Sequence, residues 1–144
     1  TDYFPHFFYP VHDGLILARD PMTRECIYYN LKGEIVLKNL EEAYPFSCGL
    51  AKTKNGYINK QGEIVIPEVY FGTSFYYGVA MVKRTKDSVR EIINTSGEKV
   101  FDINLPNDSY WCGFGESGYI YYYNYDLGRW GLVDTLGNST FDYL

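Results

Sequence analysis

The chain has 144 residues, 46% of them hydrophobic and 22% charged, with a net charge of −5 and an aromatic share of 19%. Such a length and composition suit a single folded domain over residues 1–144 and exclude a disordered or fibrous chain. The acidic balance excludes nucleic acid and an anionic membrane as main partners, and no run approaches the roughly 20 apolar residues of a spanning helix.

Sixteen tyrosines set the structural bias. A tyrosine ring fits the pleated, half-buried surface of a strand while its hydroxyl stays wet, so the chain reads as all-β. In chain order, the first strand is "GLILA" from Gly14, followed by Ile27-Tyr28-Tyr29, the polar turn "NLKGE" (30–34) and "EIVLK". The second set runs "GLAKT" from Gly49, Tyr57-Ile58, "NKQGE" (59–63) and "EIVIP". The third is "GVAMV" from Gly78, Ile92-Ile93, "NTSGE" (94–98) and "EKVFD". The fourth is "GYIYY" from Gly118, Leu132-Val133, "DTLGN" (134–138) and "NSTFD". Each turn carries Asn or Asp, two free positions, then Gly. The first side chain can accept hydrogen bonds from amides two residues on, and the glycine supplies the positive φ of a type I turn with a G1 bulge.

The opening glycine and the turn glycine are 19, 13, 19 and 19 residues apart in the four sets. From a turn glycine to the next opening glycine the gaps are 16, 16 and 21 residues. Joining the chain ends gives 21 again, which predicts four units of about three short antiparallel strands each. The units fall near 14–48, 49–77, 78–117, and 118–144 joined with 1–13. The expected fold is a β-meander closed, or nearly closed, into a barrel- or propeller-like ring that hides its edge strands; the alternative is an open twisted repeat array.

"FYYGVAMVKR", "NGYINKQGEIVIPEVY" and "GRWGLVDTLGN" give the chain its resemblance to the WG-containing repeat family, common in bacteria. Trp130-Gly131 keeps the family's Trp-Gly pair, where the other units carry Cys26-Ile27, Asn55-Gly56 and Arg90-Glu91. Pro67 keeps the proline after the turn, where the others carry Lys38, Asp102 and Asp142. The resemblance implies an all-β repeat scaffold and brings no catalytic residues with it.

Motifs for chemistry are sparse. "GFGESG" (113–118) has the spacing of a dinucleotide fingerprint, but it opens a strand by propensity, and that fingerprint needs a helix terminus to hold pyrophosphate. His6, His12 and Asp13 lack the G-x-S-x-G elbow of a hydrolytic nucleophile, and Cys26, Cys48 and Cys112 lack metal-ligand spacing. The sequence therefore predicts no catalytic, cofactor or metal site. Asp102, Asp108, Glu116 and Asp126 are the acids that a glycoside hydrolase-like cleft would draw on, and each falls in a loop or at a repeat position. The basic run "KRTKDSVR" (83–90) is short and mixed within an acidic whole.

The clearest functional signal is "YIYYYNY" (119–125). Side chains alternate along a strand, so Tyr119, Tyr121, Tyr123 and Tyr125 share one face. Two and four positions after the opening glycine the units carry Ile16, Ala51, Ala80, Ile120 and Ala18, Thr53, Val82, Tyr122, which reads as core. Five after it they carry Arg19, Lys54, Lys83 and Tyr123, a solvated position that brings the tyrosine row to the surface. Exposed tyrosines offer large contact area at low entropic cost. The expected function is non-catalytic binding or scaffolding, most of all of another protein, through Tyr121, Tyr123, Tyr125, Trp111 and Glu116. A basic partner, such as a toxin held by its immunity protein, would suit the acidic face. A glycan stacked on the same rings, as in a carbohydrate-binding module, is the alternative. The sparse, odd cysteine set leans towards a reducing compartment, a bacterial cytoplasm. The glycosylation-type triplets at Asn94, Asn107 and Asn138 point the other way, to secretion.

Overall fold

The computed structural model describes residues 7–67, 69–102, 110–112, 116–125 and 128–141. They are all-β, with no helix among the described residues, and form two compact units, Thr1–Glu68 and Val69–Leu144. The first unit holds two antiparallel sheets. One is built in sequence order from β1 (Phe7–Phe8), β2 (Leu15–Arg19), β3 (Cys26–Asn30) and β4 (Ile35–Leu40). The other is built from β5 (Ala51–Thr53), β6 (Gly56–Ile58) and β7 (Ile64–Pro67). In the second unit, β8 (Phe71–Gly72), β9 (Val79–Lys83), β10 (Glu91–Asn94) and β11 (Lys99–Asp102) form one sheet. β12 (Tyr110–Cys112), β13 (Tyr119–Asn124), β14 (Arg129–Asp134) and β15 (Ser139–Phe141) form the other.

The polar turns are built as their residue types require. Asn59 Oδ1 accepts the amides of Gln61 (3.1 Å) and Glu63 (2.9 Å), and Gly62 N donates to the Asn59 carbonyl (3.0 Å). Asn30, Asn94 and Asp134 make the same pair of side-chain bonds to the second and fourth residues after them. The glycine beside each turn has φ between 81° and 88°, and the ladder slips by one residue just before the turn, at Tyr57/Ile58 for example. That combination is the G1-bulged hairpin.

Two expectations need correction. Three of the sheets have four strands rather than three, because the segment ahead of the opening glycine adds an edge strand. In the second sheet the corresponding segment contributes single bonds, Tyr44 N to the Lys52 carbonyl (3.0 Å) and Lys54 N to that of Glu41 (3.3 Å). Second, the opening glycine lies inside a tight turn. Asp13-Gly14, Cys48-Gly49 and Tyr77-Gly78 all have positive φ, the type I′ geometry that matches strand twist. No closed barrel is found among the described residues, and the open twisted array is compatible with their sheets. Each sheet is an open meander with two edges.

The core also uses both faces of the central strands in three of the sheets. The alternation that made Ala51, Ala80 and Ile120 core holds, yet Leu15, Leu17, Val79 and Met81, one position out of phase, are buried as well. Within each unit the next sheet covers this out-of-phase face. Within the first unit Leu15, Leu17, Cys26 and Tyr28 pack on Ala43, Phe46, Ala51 and Ile58 of the following sheet. Within the second unit Val79, Met81 and Ile92 pack on Ile120 in the same way.

The stacking repeats in detail. A Cβ at Gly62 would lie 3.0 Å from Leu37 Cδ2, and one at Gly137 would lie 3.0 Å from Phe101 Cγ. Leu37 and Phe101 occupy the same repeat position, four residues past a turn glycine. Asp13 accepts the Gly49 amide (2.7 Å), while its counterpart Tyr77 donates to the Glu116 carbonyl and lies over Gly118. Tyr28 is the anchor of the first core. Its ring meets Phe46 edge-on at 4.8 Å, its hydroxyl donates to the Tyr44 carbonyl, and burial pushes its pKa far up. Complete burial of a side chain such as Leu17 contributes roughly 1.5–3 kcal/mol.

Candidate functional site: an aromatic sheet face

β13 and β14 position the aromatic row through a six-pair antiparallel register, in which Tyr119 faces Asp134, Tyr121 faces Leu132 and Tyr123 faces Trp130. Directly opposed residues share a face of the sheet, so Trp130 joins the tyrosine row. The Tyr123 ring stands 5.1 Å from Trp130 and 5.0 Å, edge-on, from Tyr125. Tilted aromatic pairs of this kind contribute about 0.5–1.5 kcal/mol each beyond area burial. Tyr123 is thus the half-buried hub, while Tyr125 and Trp130 are exposed.

The comparison between sheets is decisive for this face. Leu17 and Met81 are 1% and 2% exposed, whereas Tyr121, at the same repeat position, is 44% exposed. Tyr119 is 38% exposed where Leu15, Leu50 and Val79 are buried. The face that a following sheet covers in the first and third copies is open in the last one.

The remaining candidates are placed as follows. Glu116 is exposed in the turn before Gly118, and its carbonyl accepts the Tyr77 hydroxyl. Trp111 stands in β12 opposite the buried Tyr122, and its side chain lies outside the described set. The structure therefore brings Tyr121, Tyr123 and Tyr125 into one row, with Glu116 in the turn leading into it. Trp130 and Tyr119 complete the row and were not singled out from the sequence as site residues. Counting the hairpin register back from the turn at Asp134 pairs Trp130 with Tyr123 and would have found the first of them.

The charges described around the row are mixed. Glu116 and Asp134 are acidic and Arg129, paired with Asn124, is basic. The Asp134 carboxylate accepts the amides of Leu136 (2.9 Å) and Asn138 (2.8 Å) and the Asn138 side chain (3.1 Å), and these bonds hold its pKa below the usual carboxylate value.

Two adjacent stretches, residues 28–55 and 56–85, match the family model described as the WG containing repeat. Residues 28–85 are thus similar to two WG repeats in tandem. No curated protein and no solved structure matches it. In the matched WG repeats the phenylalanine three residues before the opening glycine, Phe46, plugs the core between two sheets, and Phe75 is buried at the same position. The glycine of the Trp-Gly pair also has a steric role. At Gly131 a Cβ would fall 2.2 Å from Tyr122 Cζ, and at Gly56 it would fall 2.2 Å from the Ile66 carbonyl oxygen.

The other motifs read from the sequence take structural places. Gly118 opens a strand, not a helix, and residues 113–115 of "GFGESG" lie outside the described residues. His6, Asp108 and Asp126 are outside them too, as is the Asp102 side chain. Asp13 is engaged with Gly49 and, through its carbonyl, with Lys60 Nζ (2.7 Å). Among the described residues no three His, Cys, Asp or Glu side chains gather to hold a metal ion. Cys26 is buried and Cys48 exposed, both as free thiols.

Proposed function

We propose that the chain is a non-catalytic binding module of four WG repeats in series, which takes a protein partner on the aromatic face of its last sheet. The exposure of Tyr119 and Tyr121, at positions buried in the other sheets, carries this reading. An apolar face left open by its own fold is the usual mark of an interaction site. Tyrosine and tryptophan supply the anchors that dominate protein interfaces.

A glycan is the weaker reading, because Tyr123 is half-buried and already packed against both Tyr125 and Trp130, which leaves less of its ring for a sugar. The test is capture on the immobilised chain from an extract of its native source, in parallel with Tyr121→Lys. A protein retained by the wild type and lost on the variant supports the proposal. Equal retention by both, or a glycan-array signal that depends on Tyr121, overturns it.

A further inference from the structure

Two faces of the kind that stack within each unit are exposed. In the sheet pair of each unit, one sheet gives the residues one and three after its opening glycine, and the next sheet gives the residue two after. Leu15 and Leu17 meet Ala51 by this rule, and Val79 and Met81 meet Ile120. The last sheet has the first kind of face open, at Tyr119 and Tyr121. The first sheet has the second kind open. Val11 is 52% exposed where the equivalent Phe46 and Phe75 are 1% and 0% exposed. Ile16 and Tyr29 are half-buried where Ala51 and Ile58, their counterparts, are buried. Phe8 and Ile35 extend this surface as large exposed apolar residues.

We infer that the tyrosine face of the last sheet binds the Val11–Ile16–Tyr29 face of the first sheet in a second copy of the chain. The inference rests on the reading of the tyrosine face as a binding face and narrows its partner to the chain itself. The occupant follows from continuity with an interface the molecule already forms twice. The two open faces are the two complementary halves of that interface, one on each terminal sheet. Such an association is heterologous, so each added copy leaves one face of each kind open and assembly continues unless the geometry closes a ring.

The test is sedimentation velocity over a range of concentrations, with Val11→Lys and Tyr121→Lys each made alone. Val11 and Tyr121 are both exposed, and far-UV circular dichroism checks that the variants fold; Tyr119→Lys replaces Tyr121→Lys if that variant does not. The wild type should grow in mass with concentration, and each variant should associate at least about tenfold more weakly, the equivalent of about 1.4 kcal/mol. An equimolar mixture of the two variants has one intact face of each kind, and so should form dimers and nothing larger. A wild type that is monomeric throughout, or a mixture that stays monomeric, overturns the inference. If a different protein is then captured in a Tyr121-dependent way, the binding-module reading stands and only the self-assembly falls. If Tyr121→Lys assembles like the wild type, the tyrosine face is not the surface used.

Discussion

Replacing Gly131 by alanine tests how the Trp-Gly pair works. Gly131 stands opposite Tyr122 in the β13–β14 ladder, and an added Cβ would lie 2.2 Å from Tyr122 Cζ, 2.3 Å from its hydroxyl oxygen and 2.6 Å from Cε1. Three atoms of one ring cannot be cleared by a small shift, so the ring must leave its place. Tyr122 is buried, and a tyrosine side chain covers about 150–250 Å², worth roughly 4–6 kcal/mol at about 25 cal/mol per Å² if burial is lost entirely. Partial reburial after rotation brings the expected cost to about 2–4 kcal/mol.

Urea titration followed by tryptophan fluorescence measures it, with Trp130 adjacent as reporter. Tyr122→Ala alone should cost about 3–5 kcal/mol, as other large aromatic truncations do. In that background the alanine has nothing to strike. Gly131→Ala should then be neutral or stabilising by up to about 1 kcal/mol, because glycine is a poor strand residue. Equal costs of Gly131→Ala in both backgrounds would refute the steric account.

Other predictions concern the turns and the buried lysine. Asn59→Ala removes two side-chain acceptor bonds to backbone amides and should cost about 1–2 kcal/mol in a urea titration. Asn59→Asp keeps those acceptors but sets a carboxylate against Glu63, which Asn59 Nδ2 now bonds at 3.1 Å, so it should cost less than the alanine at about pH 4, with the cost rising towards about pH 7. The Asp134 pKa is lower folded than unfolded, so its contribution is complete at neutral pH and fades as pH falls through the acid range. Melting temperatures measured between about pH 2 and 7 should therefore fall less steeply on acidification for Asp134→Asn than for the wild type. Lys52 is buried at the position of Leu17 and Met81, and burial lowers its pKa, with Glu42 opposing. A folded-state lysine pKa below the unfolded value means a penalty present at neutral pH and relieved as pH rises towards the unfolded value. Lys52→Met should stabilise the chain by about 1 kcal/mol at neutral pH and by less at high pH; a lower melting temperature at neutral pH would contradict this.

What could be read from the sequence is what local chemistry decides. The turns at Asn30, Asn59, Asn94 and Asp134 are closed by bonds that span at most four residues, so their residue types alone announce them. The edge strands Phe7–Phe8, Phe71–Gly72 and Tyr110–Cys112 are too short to show an alternation, and they exist because a neighbouring strand pairs with them. The left-handed turns at Cys48-Gly49 and Tyr77-Gly78 were hidden for a related reason, since neither Cys nor Tyr is chosen for positive φ. The tyrosine row was visible as a face, but its exposure depends on what stacks over it. Position 121 reads as core or surface only once Leu17 and Met81 are seen covered by a following sheet.

The order of strands within each sheet has a kinetic consequence. Among the described residues every ladder joins strands adjacent in sequence, as β2 to β3 and β3 to β4 do. All-β proteins usually fold slowly because loop entropy is spent before long-range pairing repays it. Here each sheet can zip from its own Asn- or Asp-to-Gly turn, and stacking between neighbours is a second, later event. The chain should fold faster than its strand content suggests, from several starting points, with refolding rates more sensitive to changes at Asn59 than at Tyr121.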